Sequence, residues 1–330
     1  MNKRNMCLEE IKLQNVMYCL FVVVIHLFTA EILQIPIFFF IQRFLFVAIF
    51  GFIFLSGMKQ FLHINDKSIF AYYKKRFRKI FLPYIIAVVV YWGVYKLFKC
   101  TEVSFIELPF KILCGNLASH FYFIIAISQL YILTPLINVI IQKHNKNLVL
   151  CTSLFITIIT TLLFCKYSVY NRLFSRYLFC YVCGCYAGKY YDDFLNKISK
   201  YKQYIYGLFV VSLIVELSGA YLLRLGLISA VVQQIITTLY MPIAVMFIYS
   251  VSFTISEKFS LQNTKIINTI DRNSYLIYLY HTLPIFVSDR ILGCTGISNI
   301  FYYVLFRVLI TITLLTIMIL SWHCIKSRKR

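Results

Sequence analysis

The sequence predicts an all-α protein, a polytopic bundle of about ten transmembrane helices with both termini in the cytoplasm. Three observations predict it. Of 330 residues, 61% are hydrophobic and only 14% are charged, against about a quarter charged in an ordinary soluble domain. The apolar residues fall in runs long enough to cross ~30 Å of hydrocarbon at 1.5 Å per residue. Polar residues at helical spacing, which a soluble fold would turn outward, are missing from run after run.

Taken in order, the expected spans cover 14–33, 36–61, 80–98, 117–141, 148–165, 174–191, 204–223, 228–254, 274–292 and 298–323. An even number of crossings puts both ends on one side. With that side cytoplasmic, the inner segments carry about 22 basic residues, including Arg76, Arg78, Lys79 and Lys146, and the outer segments about eight, including Arg172 and Arg176. Basic residues favour the cytoplasmic loops. No connecting segment exceeds about 20 residues, and no internal repeat of the transporter kind stands out. The chain therefore reads as one integral-membrane domain over 1–330, and any chemistry belongs to the bundle.

The formal charge of +21 is the signature of loops facing anionic membrane lipid, not of nucleic-acid binding. Eleven cysteines is an odd number, many lie inside apolar runs, and no secretory cleavage pattern follows the first run. They read as reduced packing residues. The group "CYVCGCYAG" (Cys180, Cys183, Cys185) has no histidine or carboxylate beside it, and no metal is expected.

Ionisable side chains at membrane depth are functional candidates, because they face a bundle interior or a wet cavity. His26, in "VVVIHLFTAE", lies past the midpoint of the first span. An imidazole populates both protonation states near neutral pH, which suits acid-base work; the alternative is a neutral ring bonded between helices. His120 opens the fourth span and His281 lies in the ninth. The basic segment "YYKKRFRKIFLPY" is either a headgroup anchor or a grip on a phosphorylated ligand through charge-assisted hydrogen bonds. Arg43 and Glu31 flank the first outer loop, where they pair locally or line an outer vestibule.

Five stretches then converge on one pattern: "FVVVIH" ending at His26; "FIFLSG" with Ser56 and Gly57; Arg76 and Lys79 ahead of Pro83 and Tyr84; "HFYFI" with His120, followed by Tyr131 and Pro135; and "SYLIYLYHTLP" with Ser274, Tyr278 and His281. In this the chain resembles the acyltransferase 3 family of bacterial membrane O-acyltransferases, and within it the members from exopolysaccharide and capsule loci. The resemblance implies a cytoplasmic acyl-CoA donor, acetyl-CoA foremost and succinyl-CoA as a variant. It implies a hydroxyl of a cell-surface polysaccharide or its precursor as acceptor, at the bacterial plasma membrane. It makes His26 the general base or transient acyl carrier, with His120 and His281 as candidates to assist. Arg76 and Lys79, with Arg78 between them, would contact donor phosphates. Arg43, Glu31 and Tyr278 are candidate acceptor contacts. Two positions depart from the pattern. Asn15 stands at the donor-side position where the family usually has Arg or Lys, with Lys12 the nearest cation, and Lys79 replaces an arginine. The competing reading is a transporter or export accessory for polysaccharide, with His26, His120 and Arg43 along its path.

Overall fold

A computed structural model describes residues 9–62, 68–259, 264–297 and 299–327, with side chains as far as Trp322. Of the basic residues in the orientation count, Lys3, Arg4, Lys67, Arg328, Lys329 and Arg330 lie outside the described residues. Every regular element among the described residues is helical. In chain order these are α1 (Glu9–Leu27), α2 (Pro36–Leu45), α3 (Val47–Leu62), α4 (Ile69–Arg76), a π turn (Phe77–Phe81), α5 (Leu82–Leu97), α6 (Leu108–Cys114), α7 (Tyr122–Lys143) and α8 (Lys146–Phe164). Then follow α9 (Leu178–Lys189), α10 (Tyr191–Lys200), α11 (Lys202–Arg224), α12 (Ala230–Lys258), α13 (Lys265–Tyr280), α14 (Thr282–Gly293) and α15 (Ile300–Ser327).

Eight stretches are long and apolar enough to cross a membrane: α1, α2 with α3, α4 through α5, α7, α8, α11, α12 and α15. The other two expected spans take a different form. The sixth, 174–191, becomes a short 3₁₀ turn (Phe174–Arg176) and then α9, whose 12 residues reach only about 18 Å. The ninth begins earlier, at Lys265, and is broken at His281 into α13 and α14. Pro284 explains the break, because it has no amide to donate to the Tyr280 carbonyl and its ring crowds that oxygen. The polar start of α13, "KIINTIDRN", escapes a hydropathy reading because its polar side chains are met by polar side chains of α1.

The chain divides into two compact units, one of the described residues up to 48 and from 251 onward, the other of 49–250. In the first, α13 packs along α1 and α15 returns along α14.

In the second unit, α3 and α9 touch backbone to backbone. A Cβ on Gly57 would fall on the Tyr181 carbonyl, one on Gly184 on the Phe54 carbonyl, and one on Gly188 on the Met58 carbonyl. Small residues one turn apart are how helices approach closely in lipid, where hydrophobic burial does not drive association. Cys180 and Cys185 are buried free thiols on the same helix, the packing role expected of them. Gly184→Ala should therefore lose about 1–3 kcal/mol to overpacking. Gly207→Ala, at a position with nothing within 4 Å, should be neutral or slightly stabilising. Thermal unfolding of the two purified variants in detergent checks the contrast.

Candidate functional site

The site in the first unit is set by one register. Lys12 Nζ donates to Asn268 Oδ1 at 3.4 Å, Asn15 Nδ2 to Asp271 Oδ1 at 2.9 Å, and Cys19 Sγ to the Ser274 carbonyl at 3.9 Å. These partners stand 256, 256 and 255 residues apart, so the numbering rises together along both helices and α1 runs parallel to α13. Positions 12, 15, 19 and 26 share one helical face. His26 therefore continues the same stripe and meets His281, again 255 residues away. Their ring centroids lie 4.9 Å apart at an interplanar angle of 53°. Asn15, which departs from the family pattern, keeps a side-chain donor on Asp271.

His281 sits at the break that Pro284 creates and is fully buried. Its Nδ1 lies 2.8 Å from the Tyr278 carbonyl and 3.2 Å from that of Ile277. Carbonyl oxygens only accept, so Nδ1 carries a proton, and in the neutral ring the lone pair is on Nε2. The backbone thus selects the tautomer of the second imidazole. Tyr278 is buried, with its ring 6.1 Å from that of His281.

Arg307, on α15, closes the site from the other end. Its Nε donates to Asp289 Oδ1 at 2.6 Å and its Nη2 to Oδ2 at 2.8 Å, while Nη1 donates to the Leu27 carbonyl at 2.6 Å. The Tyr303 hydroxyl adds a bond to Asp289 at 3.2 Å. Leu27 is the last residue of α1, so the guanidinium satisfies one of the carbonyls that every helix end leaves open. The same fork grips α14 through a bidentate carboxylate pair, the stronger kind of hydrogen bond. Glu31 is exposed in the loop after α1. Bonds from its own backbone amide and the Thr29 hydroxyl, with a smaller contribution from the Arg307 charge, hold its carboxyl below the usual range. It stays ionised at neutral pH and is no acid-base partner there. Arg43 is half-buried on α2.

In the second unit, the motif residues assemble around a proline. Pro135 lies inside α7 and leaves the Tyr131 carbonyl without its amide partner. That carbonyl accepts instead from the Tyr72 hydroxyl at 3.2 Å, and its neighbour Ile132 accepts from Tyr73 at 2.8 Å. The two tyrosines belong to α4, and docking them brings Arg76 over the Tyr131 ring at 4.4 Å and the Tyr72 ring at 5.4 Å. Such stacking is worth about 0.5–2 kcal/mol. The Tyr131 hydroxyl in turn donates to Ser56 Oγ at 3.2 Å. The π turn follows at once, because Pro83 cannot donate to the Lys79 carbonyl and the helix widens by a residue; such turns recur at functional sites. Arg78 and Lys79 are exposed on it. An apolar cavity of about 280 Å³, lined by Arg76, Phe77, Ile80, Phe81, Ser128 and Tyr131 among others, adjoins the guanidinium. His120, in this unit too, is buried with its ring 4.4 Å from Phe121 and 5.7 Å from Tyr91.

The first unit thus brings together His26, His281 and Tyr278 and also holds Glu31, Arg43 and, eleven residues before His26 on the same stripe, Asn15; Arg76, Arg78, Lys79 and His120 belong to the second. Sequence reasoning missed Arg307, Asp289 and Asp271. The signal for Arg307 was there, one arginine inside "YYVLFRVLITITLL", where an intramembrane charge is a functional candidate by default.

Residues 16–324 match the family model described as an acyltransferase domain. A relative in Bacillus subtilis (strain 168), provisionally named the membrane-bound acyltransferase YfiQ, is 25% identical over 247 residues. That alignment takes in 70% of this chain and 66% of the relative, so the match spans just under two thirds of the relative's length. No solved structure matches the chain.

The proline account makes a specific prediction. Tyr72→Phe strips the Tyr131 carbonyl of its partner and should cost about 1–3 kcal/mol. Pro135→Ala returns an amide to that carbonyl. The double variant should therefore recover much of the loss from Tyr72→Phe, a non-additivity that a double-mutant cycle in thermal unfolding measures; additive effects would contradict it.

Proposed function

Because the chain belongs to the acyltransferase 3 family, we propose that it transfers an acyl group, acetyl in the simplest case, from a cytoplasmic acyl-CoA to a hydroxyl of a cell-surface polysaccharide or its precursor, in the bacterial plasma membrane. The observation that carries the reading is the His26–His281 pair on the α1–α13 stripe. A sugar hydroxyl is a weak nucleophile, and a neutral imidazole held beside it removes its proton as the oxygen attacks the thioester carbonyl. The carbon–sulfur bond then breaks, and the imidazolium returns the proton to the departing thiolate. His26, half-buried at the end of α1, takes the role of base. His281, its tautomer chosen by the Tyr278 and Ile277 carbonyls, positions it. On the donor side, Arg76 with the exposed Arg78 and Lys79 supplies cations for the phosphates of the CoA. The neighbouring apolar cavity suits the acyl-pantetheine arm better than the charged end.

The proposed topology is ten crossings with both termini cytoplasmic, and the parallel packing of α1 and α13 supports it. Two parallel spans require an odd number of crossings between them. Six long apolar stretches lie between α1 and α13, so the short α9 segment has to cross as the seventh. The α13–α14 pair is then the ninth crossing and α15 the tenth.

The test is the ester content of purified surface polysaccharide, measured by proton NMR, from cells carrying the wild type, a deletion, and His26→Ala at equal expression. Ester signals should vanish in both mutants with polymer yield unchanged. Persisting esters with polymer lost from the surface would instead make the protein an export component.

A further inference from the structure

The second unit holds a larger cavity, of about 460 Å³, walled by α8, α9, α10, α11 and α12. Leu150, Leu154, Leu208, Leu239 and Ile243 make its walls apolar. One end is different. Lys146, the first residue of α8, stands with Nζ 5.7 Å from the centroids of both the Tyr186 and Tyr190 rings. Those rings lie parallel, at 4°, with centroids 6.3 Å apart. Lys197 also lines this end, but its charge is shared with Asp193 at 2.8 Å.

Tyr186 is 4% exposed, and its hydroxyl is buried with no hydrogen-bond partner. Leaving a hydroxyl unpaired in apolar surroundings is costly, so the oxygen points to a ligand that brings an acceptor. The remaining features say which kind. The eight helical rises from Lys146 to Leu154 span about 12 Å along α8, less than half of the ~30 Å hydrocarbon layer. The cavity is thus an apolar slot one leaflet deep, with a cation at its mouth and a buried donor beside it. A sugar or a free anion would leave the leucine walls unmatched. A helix from another chain would leave the Lys146 charge at the mouth without a counter-charge.

We propose that this slot holds one anionic glycerophospholipid of the leaflet that Lys146 faces. Its phosphate lies at Lys146, a phosphate or ester oxygen accepts from the Tyr186 hydroxyl, and one acyl chain fills the slot. The cation and the donor are complementary to that headgroup, and the walls are complementary to the chain. The proposal does not depend on the acyl-transfer reading.

The test uses the purified full-length protein, stripped of lipid in detergent and titrated with phosphatidylglycerol or phosphatidylcholine while thermal unfolding is followed. Native mass spectrometry of the unstripped protein runs in parallel. Phosphatidylglycerol should raise the unfolding temperature saturably at about one lipid per chain, and phosphatidylcholine should not. Lys146→Gln, at an exposed position, should weaken that effect about fivefold, the worth of one lysine at an anionic surface. Leu239→Trp, at the rim, should abolish it by filling the slot, and Tyr186→Phe should weaken it without lowering the lipid-free unfolding temperature. Equal stabilisation by the two lipids, or variants that titrate like the wild type, would overturn the proposal. So would a retained mass that is a polyprenyl phosphate, which would make the slot a site for a lipid-linked glycan.

Discussion

The parallel register of α1 on α13 is the constraint from which the first unit's chemistry follows. Three polar contacts at offsets of 256, 256 and 255 residues, from Lys12, Asn15 and Cys19, fix how the two helices slide against each other. With that fixed, His26 cannot avoid His281. Arg307 then locks the far end, because one guanidinium holds the last carbonyl of α1 and both oxygens of Asp289. The Arg307 side chain is 9% exposed, where water cannot replace these partners and an unpaired charge is costly. The His281 tautomer and the end of α1 are each set at backbone carbonyls.

The same bookkeeping of backbone groups organises the second unit. In hydrocarbon every peptide group must find a partner inside the protein, so each proline in a span creates a demand. Pro135 creates it at Tyr131, and the hydroxyls of Tyr72 and Tyr73 answer. The consequence is positional: Arg76 is carried to the Tyr131 ring and to the edge of an apolar cavity. Pro83 and Pro284 act alike, the first widening the helix under Arg78 and Lys79, the second ending α13 where His281 stands. Three motif prolines thus place three candidate site elements.

Much of the fold was legible because hydropathy reports span length directly; seven of the eight long apolar stretches fall within about six residues of the expected limits, and the third begins eleven residues earlier, at Ile69, because the basic segment expected as a loop continues the helix. The sixth and ninth expected spans carry competing signals. The polar start of α13 reads as a loop until Asn268 and Asp271 are seen against Lys12 and Asn15. Around Tyr190, the acidic pair Asp192 and Asp193 interrupts an apolar run, so the end of α9 was open. For the site, the motif residues marked Ser56, Arg76 and Tyr131, which do converge. Asp271 and Arg307 meet α1 across 256 and 280 residues, which leaves no local periodicity, while Asp289 meets Arg307 across 18 residues and the turn between two helices. Glu216 was passed over too, although it is buried in α11 and bonded to Gln233 and Thr237 of α12.

These constraints meet at His26, a half-buried imidazole near the end of α1. The most direct measurement is single-turnover transfer by the purified full-length protein in vesicles, from acetyl-CoA to polysaccharide of the deletion strain, with donor binding followed in the same samples. His26→Gln should bind donor as the wild type does and transfer about 10²–10⁴-fold more slowly, the contribution of a positioned general base. Transfer at the wild-type rate, or loss of transfer only in proportion to lost donor binding, would contradict a catalytic role for His26.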